Sequence, residues 1–311
     1  MAQSDNIIFL GTPRFAATHL RALLDAGEHV KGVITKPDKP RGRGRVIEPT
    51  PVKQAALEKG IEVIEPKNPN DRESVEWIKA KNPWLLITVA FGRILSPELL
   101  GLASAGAWNV HASLLPRWRG AAPVARAIEN GDTKTGITLM MMNTGLDTGD
   151  MLLTAETEIG PEETAGELEA RLEKMGCRIL LEGLKLAREG KLIRKAQPDE
   201  CVTMAPPMSK EEANIDWNRP AIRIHNKIRA LNPHPGARTG ELKILRSRLH
   251  DGISEGSPGA IKEMTSDGIV VFTGEGPLCL VEVQPPGKRK MSASDYARGK
   301  RLAPGDLLIG T

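Results

Sequence analysis

Aromatic side chains are scarce, with five Trp, four Phe and one Tyr making 3% of 311 residues. That excludes recognition through a long stacking platform of the single-strand-binding kind. Cysteine is scarcer still. Cys177, Cys201 and Cys279 are odd in number, far apart and free of any C-x-x-C pair. Neither a zinc site nor a disulfide framework is supported, and a reducing cytoplasm is the expected setting. No run approaches the ~18–20 apolar residues of a membrane span. The polar start leads into a strand-like run at 7–10, leaving no room for a signal or transit peptide. The dinucleotide fingerprint is missing too. The first strand ends in Gly11-Thr12-Pro13, and Pro13 stands where a phosphate cradle needs backbone N–H groups. NAD or FAD is disfavoured, and no Walker A run supports ATP chemistry.

The content is that of a globular α/β protein, 40% hydrophobic and 26% charged, long enough for two domains. Apolar runs at 6–11, 29–35, 61–64, 84–90, 107–111 and 136–142 read as strands. Amphipathic stretches at 15–24, 52–59 and 71–81 read as helices. This alternation predicts a parallel sheet covered on both faces, with ligands beyond the carboxyl ends of its strands. A long helix over 165–188 stops at Gly190, completing a first domain at 1–190. Residues 191–208, with Pro198, Pro206 and Pro207, lack periodicity and read as a linker. In 209–311 one helix, 220–231, precedes short strands at 242–248, 259–264, 269–272 and 278–284, the pattern of a small β-barrel or sandwich.

The net charge of +4 is unevenly placed. Residues 206–311 carry 16 basic and 12 acidic side chains, whereas 1–205 carry 27 of each. The excess suits a polyanionic partner or a solvated surface. Residues 36–45, Lys-Pro-Asp-Lys-Pro-Arg-Gly-Arg-Gly-Arg, concentrate five cations in the neutral half. Prolines and glycines break regular structure there. Two readings stand, a solvated flap or an arm that contacts phosphates through Lys39, Arg41, Arg43 and Arg45.

Asn109-Val110-His111 closes the strand at 107–111. Side chains alternate along a strand, so Asn109 and His111 share one face and Val110 packs on the other. Ser113-Leu114-Leu115-Pro116 follows, then Arg117-Trp118-Arg119-Gly120. Gly145-Leu146-Asp147-Thr148-Gly149-Asp150 reads as a tight loop at the same sheet edge. An amide donor, an imidazole and a carboxylate suffice for oxyanion stabilisation and proton transfer. No cysteine adjoins them and Ser113 lacks a base, so direct transfer to a nucleophile is favoured over an acyl-enzyme. One His with two carboxylates makes a poor zinc set.

These motifs, Asn109-x-His111, the run at 113–116 and Leu146-Asp147-Thr148-Gly149, resemble the folate-dependent formyltransferases. Gly11-Thr12-Pro13, the basic insertion, residues 117–123 and the basic tail are similar to the tRNA-acting branch. The resemblance covers essentially the whole chain. It implies a Rossmann-like catalytic domain, an OB-type β-barrel domain and no metal. It implies 10-formyltetrahydrofolate as donor and methionine on initiator tRNA as acceptor. It implies Asn109, His111 and Asp147 as the catalytic set, with Ser113, Leu114, Leu115 and Pro116 lining the folate site. The pterin is placed near 89–95 and 138–143, and the arm, led by Arg43, at the acceptor end of the tRNA. His111 has two open roles, cationic donor or proton shuttle. Arg14 and Asn143 stand where the family often has acidic residues. Rival readings are a small-amine formyltransferase, which needs no basic arm, a non-catalytic folate or RNA binder, and a dehydrogenase. A monomer is the default expectation.

Overall fold

Strand β1 (Ile7–Gly11) is buried at every position, which places it inside a sheet rather than at its edge. The computed structural model describes residues 5–41, 46–253 and 255–308. The chain forms two units, one of residues 1–121, 136–157 and 169–204 and another of 122–135, 158–168 and 205–311. Two short stretches that precede the main C-terminal segment therefore belong with the second unit.

In the first unit β1 is followed by α1 (Arg14–Asp25), β2 (Val30–Ile34), the ribbon β3 (Lys39–Arg41) and β4 (Val46–Glu48), and α2 (Pro51–Glu58). Then come β5 (Val63–Ile64), α3 (Arg72–Ala80), β6 (Leu85–Val89), α4 (Pro97–Leu100), β7 (Ala107–His111) and the short β8 (Arg119–Gly120). After α5 (Pro123–Asn130) the chain runs through β9 (Lys134–Met141), β10 (Met151–Glu158) and α6 (Ala165–Arg188). Helix starts follow their caps. Asp71 accepts from the Ser74 amide at 2.8 Å, and Thr50 accepts from Lys53 at 3.1 Å with Pro51 at the first helical position.

The sheet order is β10-β9-β7-β6-β1-β2-β5. Its first five strands in sequence, β1, β2, β5, β6 and β7, run parallel. β9 instead runs antiparallel to β7, with His111 opposite Thr138 and Trp108 opposite Met141. The all-parallel sheet expected from alternation is thus mixed. The apolar run at 136–142 marks a buried strand but carries no signal for its direction. One face packs Ile8, Leu10, Leu86 and Ala107 against Ile78 and Leu99. On the other face α6 approaches closely through glycines. A Cβ at Gly183 would lie 2.4 Å from Leu139, and one at Gly176 would lie 2.4 Å from Nε2 of His19. Burial holds His19 mostly neutral, lowering its pKa from 6.5 to about 4.

The second unit contains α5, then α7 (Ala221–Ala230) and an antiparallel sheet of β12 (Ala237–Thr239), β13 (Leu242–Leu249), β14 (Ile261–Met264), β15 (Ile269–Phe272) and β16 (Pro277–Gln284). The two-residue strand β11 (Met204–Ala205) precedes it, β17 (Met291–Ser292) pairs with β16, and α8 (Ala293–Lys300) follows. The sheet order is β12-β13-β16-β15-β14. Register shifts in β13 and β14 are bulges that increase the coil of a small sheet. Its core joins Trp217, Ile224 and Ile228 to Ile244, Leu278, Leu280 and Tyr296.

Arg126 anchors this unit locally. It donates to Glu212 at 2.7 Å and to the carbonyls of Pro206 and Pro207 at 3.1 Å each. The Arg126 guanidinium, aided by the Ser209 amide, holds the Glu212 carboxyl down at about 2, below its ordinary 4.5. A depressed carboxyl contributes stability above its unfolded pKa and loses it as pH falls through the folded one. Glu212→Gln should therefore lower the melting temperature at pH 7. The difference from the parent should shrink between pH 4.5 and about 2. Melting curves across that window check it; a pH-independent difference would exclude the ion pair as its source.

Candidate active site

β7 delivers Asn109 and His111 to one face, as alternation requires, while Val110 turns toward α6 at Gly176. His111 is 5% exposed. Its Nε2 lies 2.8 Å from the Trp118 carbonyl, which can only accept, so Nε2 carries a proton. The remaining ring nitrogen, Nδ1, faces Oδ2 of Asp147 at 3.6 Å. The same Oδ2 accepts the Gly120 amide at 2.8 Å. Asn109 is half-buried, and among the described residues its side chain has no hydrogen-bond partner. The Thr88 hydroxyl, in register with Asn109 on β6, is also buried without a partner. The Asn109 amide, on the same strand face as His111, therefore has its donors free of any described residue.

Asp147 arrives by an unexpected route. Because β9 is antiparallel, its end lies beside the start of β7, where the Met142 amide donates to the Ala107 carbonyl at 2.7 Å. The 142–150 loop must fold back over the sheet to reach His111. It is not a loop at the carboxyl edge of parallel strands, as its glycines alone imply. Asn143 organises it, accepting from the Gly145 amide at 3.0 Å and the Thr148 hydroxyl at 2.8 Å. Asp147 itself has φ +51° and Trp118 has φ +62°, a left-handed backbone that non-glycine residues adopt at a cost.

The run 113–116 is largely turned inward. Ser113 is fully buried, and its hydroxyl donates to the Arg117 carbonyl at 2.6 Å. The Thr138 hydroxyl donates to the Ser113 carbonyl at 2.7 Å and accepts the Leu115 amide at 3.2 Å. Leu115 packs with Met140 and Met151, Pro116 is buried, and Leu114 lies against Gly136. These side chains shape a loop. Only part of Leu114 remains open.

The arm is more regular than its prolines and glycines predict. Lys39 pairs with Glu48 and Pro40 with Ile47 in an antiparallel ribbon that Arg41 ends; Arg43 and Arg45 lie outside the described residues. Its base is clamped where Lys53 donates to Asp38 and Glu65, both at 2.6 Å. Beside it, burial and then Arg93 and Lys39 push the Lys36 ammonium below the usual lysine range. Sequence reading missed Arg93 as a companion of the arm. It also missed Gln197, whose amide bridges two loops of the site. Nothing in its aperiodic, proline-containing surroundings marks it.

A formyl transferase family model matches residues 5–184, and a formyl transferase C-terminal domain model matches 207–301. The chain belongs to the formyl transferase family. It is 46% identical over 306 residues to a methionyl-tRNA formyltransferase of Moorella thermoacetica, covering 97% of this chain and 98% of that protein. It is 43% identical over 305 residues to the enzyme of that name from Pseudomonas fluorescens, covering 97% and 95%. Among solved structures, a Helicobacter canadensis N-formyltransferase with folinic acid and dTDP-3-aminofucose has a TM-score of 0.68 at 19% identity, covering 89% of this chain and 98% of that one. HypX of Aquifex aeolicus with tetrahydrofolic acid has 0.62 at 17%, covering 94% and 46%. These structures share the fold, and no helix among the described residues is long and apolar enough to cross a membrane.

Proposed function

We propose that this chain transfers the formyl group of 10-formyltetrahydrofolate to the α-amino group of methionine on initiator tRNA. The convergence of Asn109, His111 and Asp147 carries the chemical part of this reading. Full-length identity to methionyl-tRNA formyltransferases supports the acceptor. An α-amino group has an ordinary pKa of ~7.7–8.0, so a useful fraction is nucleophilic at neutral pH. Asn109 donates to the formyl oxygen as it gains charge. His111 has Nε2 committed to Trp118, so Nδ1 takes the proton the amine loses on attacking the formyl carbon and returns it to N10 of the folate as the formyl C–N10 bond breaks, releasing tetrahydrofolate, while Asp147 stabilises the charged ring. The loop at 113–116 forms a wall of the folate site, chiefly through its backbone and Leu114. Lys39, Arg41, Arg43 and Arg45 contact the acceptor end, and exposed Lys288 and Arg289 extend the basic surface of a tRNA-binding domain at 209–311. Residues 1–190 are the catalytic domain and 191–208 the connection, of which 195–203 also lie against the site loops. The enzyme acts as a cytoplasmic monomer and uses no metal.

The test offers the donor with charged initiator tRNA, elongator Met-tRNA and small amines. Initiator tRNA should be formylated first, unchanged by a chelator. Preference for a small amine would overturn the acceptor assignment. Deleting 38–44 should abolish discrimination between the two tRNAs. Retained discrimination would remove the arm from recognition.

A further inference from the structure

Gln197 uses its whole side-chain hydrogen-bonding capacity inside the site. Its Nε2 donates to the carbonyls of Asp147 and Gly149, each at 2.8 Å. Its Oε1 accepts Nε and Nη2 of Arg119 at 3.0 and 2.7 Å. A side-chain amide offers two donors and two lone pairs, so nothing is left over. The neighbouring chain works with it. Thr203 accepts the Trp118 amide through its hydroxyl and the Arg119 amide through its carbonyl, both at 2.9 Å. Lys195 and Met151 exchange backbone hydrogen bonds of 2.8 and 2.9 Å. Residues 195–203 thus tie together two loops. One supplies the Trp118 carbonyl that holds His111 and the Gly120 amide that holds Asp147; the other supplies Asp147.

We infer that Gln197 is a positioning residue for formyl transfer, setting the Asp147 carboxylate against Nδ1 of His111 by clamping the loop at 147–149 to Arg119. The inference rests on the proposed roles of His111 and Asp147. Physical need for the clamp is plain. Asp147 keeps a left-handed backbone, which persists only where surrounding bonds over-determine it. The His111–Asp147 separation of 3.6 Å is beyond hydrogen-bond length, so their interaction is electrostatic and weakens with every further ångström of drift.

A double-mutant cycle tests this on the full chain with charged tRNA. Gln197→Ala should lower kcat at least about tenfold, with KM for both substrates within about twofold. In an Asp147→Asn background the same change should cost less than about twofold, because the group it positions is already gone. Gln197→Glu keeps the acceptor for Arg119 but sets lone pairs against two carbonyls, so it should lose activity like Ala. Gln197→Met fills the volume without polar atoms and serves if Ala fails to fold; melting curves tell the cases apart. Unchanged kcat in Gln197→Ala or Gln197→Met, or multiplicative losses in the cycle, would overturn the inference. Full activity in Asp147→Asn alone would overturn the role of Asp147 and the inference with it. Absence of formylation by the parent enzyme would instead fail the proposed reaction.

Discussion

Replacing Asn109 by Ala is expected to lower kcat by about 10²–10³-fold while leaving KM for donor and acceptor nearly unchanged. One preorganised donor to a developing oxyanion contributes ~2.7–4 kcal/mol of barrier reduction. An interaction made only in the transition state appears in kcat and kcat/KM alike. The geometry supports a large value. Asn109 sits on a buried strand between β6 and β9, its Cα in register with Thr88 and Met140, so its backbone cannot drift. Its amide is not engaged by any described residue, so no internal bond must break before it meets the substrate. Asn109→Asp keeps the shape and exchanges donors for negative charge, and should be at least as damaging. Steady-state kinetics of the two variants check this. Near-parental kcat in Asn109→Ala would remove the amide from the reaction.

Gly149→Ala should damage both stability and turnover. A Cβ there would lie 1.9 Å from the Met141 carbonyl oxygen. That atom belongs to the β9 backbone, so no rotamer change relieves the clash. Overpacking against a fixed neighbour typically costs ~1–3 kcal/mol. For a unit of this size each kcal/mol corresponds to roughly 2–4 °C in melting temperature. The relief available is outward movement of the loop, which breaks the Gln197 contact to the Gly149 carbonyl and carries Asp147 with it. A fall in melting temperature of several degrees with a parallel drop in kcat is the expected pair of results. A variant with parental kcat would mean that the loop has more freedom than its bonds imply.

Much of this was legible because it is local. Alternation placed Asn109 and His111 on one face without reference to any other strand, and amphipathic spacing at 52–59 and 71–81 located α2 and α3 to within a residue or two. The cap at Ser292, which accepts the Asp295 amide, was a readable signal for α8 that strand-like neighbours obscured. The direction of β9 was not readable. An apolar run buried on both faces looks the same in either direction, and only pairing with β7 decides it. The folded-back course of the Asp147 loop follows from that direction, so it was hidden as well. Ser113 shows another limit, that side-chain engagement is not read from sequence neighbours. A polar residue beside a site motif invites a ligand-contact reading, yet its hydroxyl is consumed by Arg117. Gln197 was invisible because its meaning lies wholly in partners distant in sequence.

The Gly120 amide donates to Asp147 at 2.8 Å, and that single proton is a reporter of the assembled site. Exchange with solvent requires the two loops to part, so the protection of this one N–H against deuterium measures the free energy of opening where the chemistry occurs. Its exchange rate reads the integrity of the His111–Asp147 pair in the absence of any substrate.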